Sequence, residues 1–114
     1  MNRFEIYRGK EINGQLVGLR QSGYAFQDEG ANYYRIKLFL MPDQNFYLSK
    51  NQGPGYTLFS KIIVEDSGYV HFQNPVGFAK ILENVKTHLY LKFPDLQSHM
   101  FMCLYPSERS EIAA

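Results

Sequence analysis

The strongest constraint on the fold is an alternation of residue types between positions 33 and 50. The even positions are mainly apolar: Tyr34, Ile36, Leu38 and Leu40. The odd positions are aromatic, basic or sulfur-containing: Tyr33, Arg35, Lys37, Phe39 and Met41. A period of two indicates a strand with one face on a core. After a turn at Pro42 the pattern resumes over residues 45–50, so the segment predicts a hairpin.

The register of this hairpin follows from the same pattern, because a slip of one residue would turn the apolar set outward. We place residues 42–44 in the loop, with Leu38 facing Phe46 and Ile36 facing Leu48. A loop of five residues also keeps the two faces apart, whereas a loop of two or four mixes them. We therefore predict an odd loop and an inner face of Tyr34, Ile36, Leu38, Leu40, Phe46 and Leu48.

Further strand patterns occur on both sides of this hairpin. Residues 15–27 indicate one or two short strands, with glycines marking turns or bulges. Residues 56–64 have apolar side chains on both faces, as a central strand does, and 69–73 form its hairpin partner. Alternation returns at 87–93 and again at 99–105, before Pro106 ends it.

One segment breaks the strand pattern and predicts a helix at about 75–86. Asn74 and Pro75 suit the cap and first position of a helix, and apolar residues then recur at helical spacing. These residues are Phe78, Ile81, Leu82 and Val85. Val76 and Gly77 weaken the helical pattern, and the GFAKIL segment could instead be a strand.

No repeat, linker or low-complexity segment divides the sequence. We expect a single globular domain over residues 1–106 and a frayed C-terminal tail over 107–114. The fold class is α+β and β-rich: an antiparallel sheet or partly open β-barrel of about six to eight short strands, with one helix packed across it.

Charge and composition limit the function classes. The chain of 114 residues has a net charge of +1, so no global field draws it to polyanions. Its single cysteine, Cys103, excludes an internal disulfide framework. No apolar run approaches the roughly 18 residues of a membrane-spanning helix. These features predict a cytoplasmic protein with no membrane partner.

Catalysis and metal binding have little support. His99 and Cys103 share a strand face but lie about 13 Å apart at strand rise, too far for direct proton transfer. His71 or His88 could approach Cys103 through the fold, so a Cys-dependent enzyme is a remote alternative. The three histidines lack the close spacing of zinc ligands. We expect no enzyme, no catalytic residue, no metal site and no cofactor.

The odd face of the first hairpin is the candidate binding surface. Its expected contact residues are Tyr33, Arg35, Lys37, Phe39 and Tyr47. Tyrosine, phenylalanine and arginine are enriched at protein interfaces, and open sheet edges would add pairing sites, so a protein-interaction or homo-oligomerisation module is favoured. Rings that stack bases beside cations that meet phosphates also suit single-stranded nucleic acid, which is the alternative. Small-ligand binding is a more remote alternative function.

Overall fold

The structure is a computed structural model that describes residues 1–96 and 99–106. Eight antiparallel strands pair in chain order, and the last pairs with the first to close a barrel. The strands are β1 (Asn2–Ile12), β2 (Gln15–Gln27), β3 (Tyr33–Leu38), β4 (Asn45–Lys50), β5 (Tyr56–Val64), β6 (Val70–Ile81), β7 (His88–Lys92) and β8 (Met100–Cys103). Within the described ranges no helix has the length and apolar character needed to cross a bilayer. The predicted tail, 107–114, lies outside the described residues.

The β-rich barrel is confirmed, but the α+β class and the helix at 75–86 are wrong. Residues 75–81 continue β6, and Asn74 has a φ of 58°, which is incompatible with a regular cap. A Cβ built on Gly77 would lie 2.1 Å from the Lys92 carbonyl oxygen, so β6 approaches β7 as closely as glycine permits. Phe78 and Ile81, which suggested a helical stripe, are about half exposed.

Closure of the ring also corrects the expectation of open sheet edges. β1 pairs with β8 through Ile6–Met102, Tyr7–Phe101 and Arg8–Met100. Each described strand therefore has a neighbour on both sides. Backbone pairing with another chain therefore has no free edge in the ring itself. Free edges remain only on the hairpin extensions, such as residues 15–21 of β2 and 61–64 of β5, which pair on one side.

The β3–β4 hairpin keeps the predicted faces with a different register. Ile36 pairs with Phe46, and Lys37 pairs with Asn45, so an odd number of residues, 38–44, separates the last paired positions. Phe46 therefore pairs two residues away from the predicted Leu38, and the faces stay unmixed. Leu40 is the exception: it lies beyond the end of β3 and is 73% exposed.

Bulky residues fill the barrel from the short strands, and small residues line the long strands β2 and β6. The core residues of β3, β4, β7 and β8 are Ile36, Leu38, Phe46, Leu48, Leu89, Leu91, Met100 and Met102. Gly23 and Ala25 of β2 pair with Leu38 and Ile36. Gly77 and Ala79 of β6 pair with Leu58 and Leu91. Alternation of large and small side chains is what an eight-stranded barrel needs to fill its interior. β1, which the sequence analysis did not assign, adds Phe4 and Ile6.

The register contains an internal repeat that is not visible in the sequence. Ile6 pairs with Gly23 and a bulge follows; Leu58 pairs with Gly77 and a bulge follows. Two long strands and two short strands thus occur twice, as β1–β4 and β5–β8. Three further pairs of the first half have equivalents in the second. Ala25–Ile36 corresponds to Ala79–Leu91, and Tyr34–Leu48 corresponds to Leu89–Met102. Leu48–Leu58, which joins the halves, corresponds to Met102–Ile6. The barrel therefore has a pseudo-twofold relation between its halves.

The two long hairpins continue past the barrel and pack against its outer wall. The Gly9 amide of the β1–β2 hairpin donates to the His99 carbonyl at 3.3 Å, and a Cβ on Gly14 would lie 3.5 Å from Asn84. Phe101 points outward from β8 yet is only 2% exposed. The β5–β6 hairpin places Phe72 with its ring centroid 5.5 Å from that of Tyr33.

Candidate functional site

The structure places the five predicted binding residues on the outer wall of β3 and β4 or directly after β3, and divides them into two groups. Tyr33, Arg35 and Lys37 alternate along β3, opposite Ser49, Tyr47 and Asn45 of β4. Phe39 follows directly after β3. Lys37 and Phe39 are exposed, whereas Tyr33, Arg35 and Tyr47 are partly buried.

Two arginines lie over aromatic rings beside this group. The Arg3 guanidinium carbon lies 4.4 Å from the Tyr24 ring centroid, and that of Arg35 lies 5.3 Å from the Phe26 centroid. Both are within the distance at which a cation is attracted to a ring face. We define the β2–β3 face as the surface formed by six residues: Arg3, Tyr24, Phe26, Arg35, Lys37 and Phe39. The sequence analysis missed Arg3, Tyr24 and Phe26, because their placement requires the pairing of three strands.

Tyr33 and Tyr47 belong to a separate aromatic cluster with Phe59 and Phe72. The Tyr33 centroid lies 6.3 Å from that of Tyr47, and the Phe59 centroid lies 5.2 Å from that of Phe72. Tyr33 also meets Phe72 nearly edge-on, at an interplanar angle of 78°. These contacts anchor the β5–β6 hairpin to the barrel wall, so both tyrosines have a structural role.

An apolar tip adjoins the β2–β3 face at the end of β3. Phe39, Leu40 and Met41 are consecutive and 51%, 73% and 37% exposed. The Phe39 ring packs edge-on against Tyr24, with centroids 5.5 Å apart. Single exposed apolar residues are ordinary, but a contiguous run beside aromatic and cationic groups is typical of an interaction site.

The cysteine and histidines are placed as follows. His88 lies directly opposite Cys103 across β7 and β8, and no hydrogen bond joins these two side chains. The Thr87 hydroxyl lies 2.8 Å from His88 Nδ1, and burial lowers the pKa of His88 below its ordinary value of 6.5. His99 hydrogen-bonds Tyr90, and His71 lies 3.0 Å from the Glu65 carboxylate. In the described part of the chain, no three metal-ligating side chains converge.

No family model, curated protein or solved structure matches this chain.

Proposed function

We propose that this protein is a non-enzymatic protein-binding module that contacts its partner through the β2–β3 face and the apolar tip. The observation that carries the proposal is the exposed run Phe39–Leu40–Met41, which continues a face of aromatic and arginine side chains. Its partner is another protein or a second copy of this chain. We also propose a cytoplasmic location, which the single cysteine supports.

The ring contacts favour protein over nucleic acid as the partner. Arg3 and Arg35 lie over Tyr24 and Phe26, so part of the ring surface that a base would stack on already has a cation on it. Arginine held over an aromatic ring also loses less side-chain entropy on binding than a free side chain does. Rigid aromatic and arginine anchors of this kind dominate the binding energy of protein interfaces.

The pseudo-twofold relation supplies a matched control for the test. Lys37 pairs with Tyr24, and Lys92 pairs with Phe78 at the equivalent position of the other half. Lys37→Glu and Lys92→Glu therefore change the net charge equally at equivalent places. Phe39→Ser and Lys37→Glu should each lower partner binding at least tenfold, while Lys92→Glu should leave it within about twofold.

Two measurements apply the test. Light scattering over a concentration series detects self-association, and quantitative affinity capture from extract detects a distinct partner. A defined complex that Phe39→Ser and Lys37→Glu abolish and Lys92→Glu preserves supports the proposal. A protein that is monomeric at high concentration and captures nothing dependent on Phe39 and Lys37 contradicts it.

Single-stranded nucleic acid is the second candidate, favoured by the cations Arg3, Arg35 and Lys37 on one face. Fluorescence anisotropy with labelled single-stranded DNA and RNA should then show binding that weakens steeply with salt. Replacing Arg35 and Lys37 together by Met should weaken that binding without unfolding the protein. Flat titrations at low salt with both oligonucleotides would eliminate this candidate.

A further inference from the structure

Two pockets open at the end of the barrel that carries the apolar tip, and Leu96 lines both. The first, of about 170 Å³, we call the Arg8 pocket; its lining includes Arg8, Gln21, Leu38, Phe39, Leu40 and Met100. The second, of about 190 Å³, we call the Asp95 pocket; its lining includes Met41, Phe46, Ser60, Val76, Phe93 and Asp95.

The pseudo-twofold relation exchanges these pockets. Arg8 follows Ile6 by two residues, as Ser60 follows Leu58, so Arg8 and Ser60 are equivalent. By the same registers Met100 corresponds to Phe46. The pockets thus share a position in the fold but differ in chemistry, since an arginine in one replaces a serine in the other.

The Arg8 pocket carries hydrogen-bond donors without partners. Arg8 pairs with Arg20 across β1 and β2, and like charges in that position repel. In the described part of the chain, neither guanidinium has an ion-pair partner. The Gln21 side-chain nitrogen is buried and also lacks a hydrogen-bond partner. The buried Gln21 nitrogen is costly to leave unsatisfied, and a carboxylate entering the pocket would accept from it and from the partly exposed Arg8 guanidinium.

The floor of the same pocket is apolar. Leu38 and Met100 are almost fully buried beneath it, and Phe39 and Leu40 form its exposed side. A volume of about 170 Å³ accommodates one side chain the size of leucine. The site therefore combines a place for a single apolar side chain with a cationic group beside it.

We infer that the Arg8 pocket binds a peptide segment of the partner in which an apolar side chain stands beside a carboxylate. The inference rests on the proposed protein-binding function and names the partner's contacting chemistry. The apolar side chain packs on Leu38 and Met100, while the Arg8 guanidinium and the Gln21 amide donate to the carboxylate oxygens.

The test uses small probes on the whole protein. Titration of the ¹⁵N-labelled protein with N-acetyl-leucine should give saturable NMR shifts at the amides of Arg8, Gln21 and Leu40, with a dissociation constant of about 1 mM. N-acetyl-leucinamide lacks the charge and N-acetylglycine lacks the side chain, so each should bind at least tenfold more weakly. The amides of Ser60 and Val76, in the Asp95 pocket, should not shift.

Variants separate the charge from the fold. Arg8→Met should weaken N-acetyl-leucine binding at least tenfold, Arg8→Lys should restore part of the loss, and Lys92→Met should change nothing. Acetyl-leucyl-glutamyl-amide has its only carboxylate on a side chain, whereas N-acetyl-leucine has a terminal carboxylate. Binding of either probe supports the inference, and the tighter one shows whether the partner's carboxylate is a side chain or a chain terminus. Equal binding of N-acetyl-leucinamide, equal shifts in both pockets, or no shift with either carboxylate probe overturns it.

This result is independent of partner capture. If the probes bind while Phe39→Ser leaves partner binding intact, ligand binding at the Arg8 pocket is supported and partner binding through the β2–β3 face is refuted. If Phe39→Ser abolishes partner binding but neither probe binds, the inference about the Arg8 pocket fails alone.

Discussion

Replacing Gly77 by alanine tests the close approach of β6 to β7. An alanine Cβ there would lie 2.1 Å from the Lys92 carbonyl oxygen, and one at the equivalent Gly23 would lie 2.2 Å from the Lys37 carbonyl oxygen. Ordinary contacts between such atoms begin at about 3.4 Å. The obstructing atom is backbone, so each strand pair must separate by about 1 Å or twist out of register.

The expected cost is about 2.5 kcal/mol for each substitution. Overpacking a rigid interior costs about 1–3 kcal/mol, and displaced backbone belongs at the top of that range because ladder hydrogen bonds weaken with it. Alanine also restricts the unfolded chain more than glycine does, and this offsets about 0.5 kcal/mol of the loss in the free energy of unfolding. Gly53→Ala is the matched control, because nothing lies within 4 Å of a Cβ at that position.

Urea unfolding followed by circular dichroism measures the effect. With a slope of about 1.5 kcal/mol per molar, a loss of about 2.5 kcal/mol lowers the midpoint by about 1.7 M. Gly23→Ala and Gly77→Ala should lose similar amounts, whereas Gly53→Ala should stay within about 0.5 kcal/mol of the wild type. Midpoints for all three variants that match the wild type would refute both the close approach and the equivalence of the two glycines.

Three further predictions concern stability. Leu38→Ala should cost about 2–5 kcal/mol in urea unfolding and the exposed Leu40→Ala less than about 0.5 kcal/mol; equal losses would refute the assigned inward and outward directions. Burial lowers the pKa of His88, so the folded state binds fewer protons than the unfolded state, and stability should fall as the pH drops below 6.5. His88→Asn should flatten that acid limb of a stability–pH curve; an unchanged slope contradicts the assignment. Burial, and the nearby Tyr56, raise the pKa of Tyr34 above 10.0, so stability present below that pH should decline above it, and Tyr34→Phe should reduce the decline seen in alkaline thermal melts.

The sequence predicts strands best where the inward residues are large. Ile36, Leu38, Phe46 and Leu48 mark their face unambiguously, so the faces of β3 and β4 are correct even though the register is displaced by two residues. β6 has the opposite composition: its inward residues include glycine and alanine, and the large Phe78 lies outside. Its hydrophobic pattern therefore reflects exposed positions and resembles a helix.

The candidate site was predictable only in part. A period of two is enough to group Tyr33, Arg35 and Lys37 on one side of β3. The contacts of Arg3 with Tyr24 and of Arg35 with Phe26 depend on the pairing of β1, β2 and β3, which local pattern does not specify. The internal repeat was hidden for a similar reason, because equivalent residues such as Arg8 and Ser60 differ chemically and only their pairing is preserved.

Closure of the ring has a consequence for folding kinetics. Seven of the eight ladders join strands that are neighbours in sequence, but the β1–β8 ladder joins Ile6 to Met102 across almost the whole described chain. Among the eight ladders, this one has the largest entropic cost of loop closure, and the ladder contains only three residue pairs. We therefore expect the sheet to assemble as a series of fast local hairpins, with the pairing of β1 and β8 as the rate-limiting step.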